Sequence, residues 1–175
     1  MSMTEIPLRV RAKALIQHRR PYDYDEKRGL WVYRKVDEDE EVYNLVTNAG
    51  RVAIHTYIYG TSAQRTAGGL SGTGFNYIAL SNDASAPAAG DTTLASELSG
   101  NGLDRTLGTP TLPTGSGTVT TVENTFTFTG TSQGVQKTAL FDDSSAGKMA
   151  HEIQFTQRTL ATSDNLTITF SITLA

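Results

Sequence analysis

A chain of 175 residues, 38% of them hydrophobic, has room for one domain with a substantial core and little more. It contains no cysteine, which excludes a disulfide framework and a thiolate-held metal, and no apolar run reaches the length that spans a bilayer. A net charge of −3 is too small to argue for a nucleic acid or a membrane as partner.

The charge is unevenly placed. Residues 1–66 carry 11 of the 15 Lys and Arg and nine of the 18 acids, a balance of +2, whereas residues 67–175 stand at −5 and are rich in Thr, Gly, Ala and Ser. Six of the seven tyrosines and the single tryptophan precede residue 60. The chain has two textures, with the change near residues 60–74. Its opening, Met-Ser-Met-Thr-Glu, reads as a cytosolic start without a signal peptide.

From Ile6 to Ile16 the even positions read Ile, Leu, Val, Ala, Ala, Ile, and the odd ones include Arg9, Arg11 and Lys13. That is strand periodicity with one basic face. "HRRPYDYDEKRG" (18–29) breaks the pattern at Pro21, "LWVYRK" (30–35) is a short strand, and "DEDEE" (37–41) reads as a solvated loop. "NLVTNAGRVAIHTYIYG" (44–60) is the best helix candidate: Thr47 or Asn48 caps it, and Gly60 stands where a left-handed residue closes it. "TAGGLSGTG" (66–74) is a loop and "FNYIAL" (75–80) a compact apolar strand. A short helical turn opens at Asp91 and closes at Gly100.

Everything after that reads as β: 103–109, 117–129, 134–141, 148–159 and 165–174, separated by "PTLPTGSG", "GTSQG", "DDSSAG" and "LATSDN". In "NLTITFSITLA" apolar residues alternate with Thr and Ser almost to the terminus, so this strand belongs at the centre of a sheet. The expected fold is mainly β, an antiparallel β-sandwich of jelly-roll type with one or two short helices. Residues 1–41 form an extended, charged N-terminal arm, and residues 42–175 form the sandwich.

The inventory for catalysis is poor. His18, His55 and His151 lie in different elements without metal-ligand spacing, and each reads as a surface or hydrogen-bonded histidine. Asp142 and Asp143, with Asp83 or Asp91, could take a calcium ion, but "DDSSAG" is equally a good turn. "GGLSGTG" lacks the lysine of a phosphate loop, no nucleophile elbow exists, and Asn165-Leu166-Thr167 is only a formal glycosylation sequon. The expectation is no enzyme, no cofactor and no metal.

The basic residues Arg9, Arg11, Lys13, Arg19 and Arg20, near Tyr22 and Tyr24, have the makings of a nucleic-acid grip, but Asp23, Asp25 and Glu26 follow at once. A protein surface is the better partner, gripped by strand addition and by arginines on an acidic rim. The expected interface residues are Arg9, Arg11, Lys13, Arg19, Arg20, Trp31 and Tyr33. A carbohydrate-binding module is the alternative from another class, with Trp31, Tyr57 and Tyr59 as an aromatic platform.

The strings "NLVTNAGRVAIH", "FNYIALSNDASAPAAGDTTLASEL", "LDRTLGT", "NTFTFTGTSQGVQKTALFDDSSAGKMAHEIQF" and "SDNLTITFSITLA" resemble structural proteins of tailed-bacteriophage virions. These include capsid decoration (cement) proteins and small tail components, and the resemblance covers about residues 44–175. It implies a structural protein made in the bacterial cytoplasm and carried in the virion, contacting the major capsid protein or other virion proteins and self-associating as a homotrimer. A tail, fibre or head–tail component is the alternative within that class.

Overall fold

The computed structural model describes residues 10–25, 28, 30–43, 45–47, 50, 66, 74–111 and 119–174. Eleven strands are found among them: β1 (Val10–Asp25), β2 (Leu30–Lys35), β3 (Glu40–Tyr43), β4 (Leu45–Val46), β5 (Tyr77–Ser81), β6 (Thr106–Leu107), β7 (Thr109–Thr111), β8 (Val119–Thr127), β9 (Ser132–Phe141), β10 (Met149–Ala161) and β11 (Asn165–Leu174). The first sheet runs β2-β1-β11-β8-β7, with β3 also on β1; the second runs β4-β10-β9-β5-β6. Each pairing is antiparallel. The two sheets pack face to face as a β-sandwich.

Alternation decides what lies between them. Ala14 and Ile16 of β1, Val122 and Phe126 of β8, and Leu166, Ile168 and Phe170 of β11 meet Ile78, Leu80, Leu140, Ile153 and Leu160 of the second sheet. β11 lies between β1 and β8, so the regular closing strand is central, held on both sides. The chain crosses from β8 into the β9–β10 hairpin of the other sheet and returns as β11 beside β8. A second, smaller core of Ala79, Leu94, Ala139, Phe141 and Met149 covers the far side of the second sheet, under the loop that follows β5.

Several expectations are corrected. Residues 10–25 are not an arm outside the sandwich: β1 pairs with β11 from Val10 to Arg19, and Ala14 and Ile16 are fully buried. The strand does not stop at Pro21. It runs on to Asp25, with a register shift between Pro21 and Asp23 that accommodates the missing N–H. "DEDEE" is a loop only over residues 37–39, because β3 begins within it at Glu40.

Residues 91–100 do not form a helical turn. Their backbone is held by β5 instead, through Leu98 N–H to Leu80 C=O at 2.8 Å and a bridge between Ser81 and Glu97. Ser96 takes a positive φ of 49°, which no helix tolerates. Most of the helix expected over 44–60 lies outside the described residues. Its beginning is partly strand, since Leu45 and Val46 pair with Glu152 and His151. Thr47 does act as a cap, its hydroxyl accepting the Gly50 N–H at 3.0 Å.

Candidate functional site: a protruding ribbon and two polar clusters

β1 outruns its neighbour. Its last pair with β11 is Arg19 with Asn165, and beyond that point β1 pairs only with β2. The β1–β2 hairpin is therefore a two-stranded ribbon projecting past the sandwich. Side chains alternate across a strand, so Trp31 and Tyr33 of β2 share one face and Val32 points to the other. All three are exposed, at 59%, 42% and 46%. The ribbon thus shows exposed apolar side chains on both faces among charged ones.

The root of the ribbon is polar, and periodicity explains why. The inward row of β1 runs Ala14, Ile16, His18, changing from apolar to ionisable where the core ends. His18 Nδ1 lies 2.9 Å from Asp37 Oδ2, and Nε2 lies 2.7 Å from Asp164 Oδ2. Asp164, fully buried, also accepts from Arg20 and from the Ala161 N–H at 2.9 Å. Burial works against its charge, but the Arg20, Ala161 and His18 hydrogen bonds prevail and hold the carboxyl at about 2. The cluster has no nucleophile, and its geometry is that of a clamp.

The acidic run joins the same clamp. Asp37 meets His18, Glu38 meets Lys35, Asp39 meets Arg19, Glu40 meets Arg158 and Glu41 meets Lys13. The described part of the basic face expected to seek an acidic neighbour is thus neutralised by its own chain. Of the expected interface residues, Lys13, Arg19 and Arg20 pair internally, with Glu41, Asp39 and Asp164. Arg9 and the Arg11 side chain lie outside the described residues, as do Tyr57 and Tyr59. Trp31 and Tyr33 remain as exposed apolar surface.

A second cluster sits on the far side of the second sheet. Lys137 of β9 is only 1% exposed, and its Nζ contacts Asp83 Oδ2 at 2.5 Å, Glu152 Oε1 at 3.1 Å and Ser85 Oγ at 3.1 Å. Burial opposes the charge on Lys137, yet Asp83 and Glu152 hold the ammonium above its ordinary value. The Lys137 ammonium, helped by the Ser85 hydroxyl, draws Asp83 down to about 2. Burial and the neighbouring Asp91 carboxyl push Glu152 up, against the pull of Lys137.

The remaining candidates are structural. Asp142 is buried and accepts the Lys148 N–H at 2.6 Å, and Asp143 accepts the Ser145 N–H, so "DDSSAG" is a turn built by its own aspartates. Arg105 braces it: the guanidinium stacks 3.6 Å over Phe141, pairs with Glu97 and donates to the carbonyls of Asp143 and Ala146. His151 is buried with its ring 6.5 Å from that of Phe170. His55 is outside the described residues. Among those described, no three His, Asp or Glu side chains converge to hold a metal ion.

Sequence reasoning missed Asp37, Asp164, Lys137, Glu152 and Arg158. One signal was available: Lys137 is the single charged residue of its strand, at a position in phase with the buried Ala139 and Phe141. In comparisons with known proteins, no family model, no curated protein and no solved structure matches this chain.

Proposed function

We propose that the protein is a structural component of a tailed-phage virion that decorates and stabilises the capsid through protein–protein contacts. The observation that carries this reading is the projecting β1–β2 ribbon, which exposes Trp31, Val32 and Tyr33 on two faces at a sheet edge. A two-stranded hairpin alone is marginal in water, and adjacent exposed apolar side chains on it suit a covering partner. The edge of β2 offers backbone groups for strand addition, and the aromatics supply desolvated anchors. The resemblance of residues 44–175 to virion structural proteins supplies the setting. The clamp at His18, Asp37 and Asp164 fixes the direction in which the ribbon leaves the sandwich.

In this reading the fastener is the ribbon rather than a basic arm, and the copies associate as a homotrimer around the shell's local symmetry axes. The test is co-sedimentation with shells lacking this component, comparing the wild type with Trp31→Ala/Tyr33→Ala. Binding of the wild type and loss in the variant support the reading. Failure of the wild type to bind shells, with only a few copies per purified virion, assigns it to the tail. A glycan retained on an array through Trp31 would replace the scaffold reading with the carbohydrate-binding one.

A further inference from the structure

The Lys137 cluster lies on the far side of the second sheet, and its construction goes beyond an ordinary ion pair. β9 lies between β5 and β10, and Lys137 stands opposite Ser81 on one side and Gln154 on the other. The segment leaving β5 is pinned on both sides of Asp83. Gln136 Nε2 donates to the Asn82 carbonyl at 2.7 Å, and Gln154 Nε2 donates to the Ala84 carbonyl at 2.6 Å. Asp83 N–H donates to Ser81 Oγ at 2.9 Å. The Ser85 N–H reaches Asp83 Oδ1 at 3.3 Å, and the Ser85 hydroxyl donates to Oδ2. A buried amine and a partly exposed carboxyl are thus fixed in contact, with a second, buried carboxyl on the amine.

We propose that Lys137 and Asp83 condense to an amide, an intramolecular isopeptide cross-link between β9 and the segment leaving β5, with Glu152 relaying the proton. Glu152 Oε1 accepts a proton from Nζ and returns it to Oδ2 of Asp83, and the neutral amine attacks Cγ of the protonated carboxyl. The N–Cγ bond forms, and the developing charge on Oδ1 faces the Ser85 N–H. The Cγ–Oδ2 bond then breaks. Of the three ammonium hydrogens, two depart with Oδ2 as water, one of them by way of Glu152, and one stays on the amide nitrogen. The balance needs no oxidant, reductant or co-reactant.

Three physical features favour the step. Fixing the reactants in contact replaces an encounter with an effectively unimolecular reaction. The amide product is neutral, so condensation removes the desolvation penalty on the buried Lys137 ammonium. Burial raises Glu152 above its ordinary value, which favours its holding the transferred proton. Asp83 is the acyl partner because it lies nearest to Nζ, carries both Ser85 donors and sits on the pinned segment. The link would close a loop of 54 residues containing β6 to β8, constraining the unfolded state as a disulfide does, in a chain without cysteine.

The experiment is the intact mass of the full-length protein under denaturing conditions, after folding and prolonged incubation, with peptide mapping. The expected mass is that of the sequence less one water, with a branched peptide joining Lys137 to Asp83. Lys137→Arg keeps the charge pair and should carry the full mass with an unchanged circular dichroism spectrum. Glu152→Gln should fold and condense at least tenfold more slowly. A folded wild type at full sequence mass overturns the proposal, as does water loss that survives in Lys137→Arg. Condensation of Glu152→Gln at the wild-type rate overturns the proton relay. The measurement needs no shells, so its outcome is separate from that of the capsid reading.

Discussion

Arg20 and Asp164, 144 residues apart in sequence, form a two-pronged pair in which Nε donates to Oδ1 at 2.8 Å and Nη2 donates to Oδ2 at 3.0 Å. The contact ties the first strand to the turn before the last. Asp164→Ala would leave buried His18 with Asp37 as its remaining carboxylate and strip Arg20 of both hydrogen bonds, a loss of about 1–3 kcal/mol. The folded-state value of about 2 lies below the ordinary 3.8, so this stability is fully present above 3.8 and is lost as pH falls toward 2. Denaturant melts should therefore show a large gap between wild type and variant at pH 7 that narrows at pH 2.5.

Phe170 of β11 is fully buried, opposite Ala14 and Val122, whereas Thr169 points away and donates to Glu123 at 2.7 Å. Phe170→Ala should cost about 3–5 kcal/mol and Thr169→Ala less than about 1 kcal/mol. Equal effects in urea titrations would contradict the half-buried strand.

Burial holds His151 down at about 4, below the ordinary 6.5. The unfolded chain takes the proton first, so the contribution is complete above pH 6.5 and is lost as pH falls toward 4. Between pH 7 and 5 the loss should be on the order of 2 kcal/mol. His151→Leu should abolish that part of the pH dependence. An identical slope in the variant would place the titration elsewhere.

Trp31 and Tyr33 are exposed, so Trp31→Ala/Tyr33→Ala should alter the stability of the isolated protein by no more than about 0.5 kcal/mol at each site. Thermal melts check this. A large destabilisation would mean that the ribbon supports the fold rather than meeting a partner.

Gly102 has φ +80°, and a Cβ there would lie 2.1 Å from the Thr127 carbonyl oxygen. Gly102→Ala should cost at least about 1–3 kcal/mol from backbone strain alone, read as a lowered urea midpoint.

What the sequence determined by itself was local. Alternation identified β11 and put Phe170 inside, because a strand with one buried face must repeat every two residues, while turn clusters marked off β8, β9 and β10. The same period set the inward row of β1, yet it could not say which sheet that row would cover. Tertiary structure decided that β1 adds to β11 of its own chain, since the apolar row Ala14–Ile16 had a core within reach. It likewise decided where charge goes: the acids of "DEDEE" and the bases of β1 look like separate solvated runs in sequence, and they neutralise each other once β3 is laid against β1. Lys137, Asp83 and Glu152 come from three separate segments, and their convergence depends on strand order and register, which no single-segment pattern encodes.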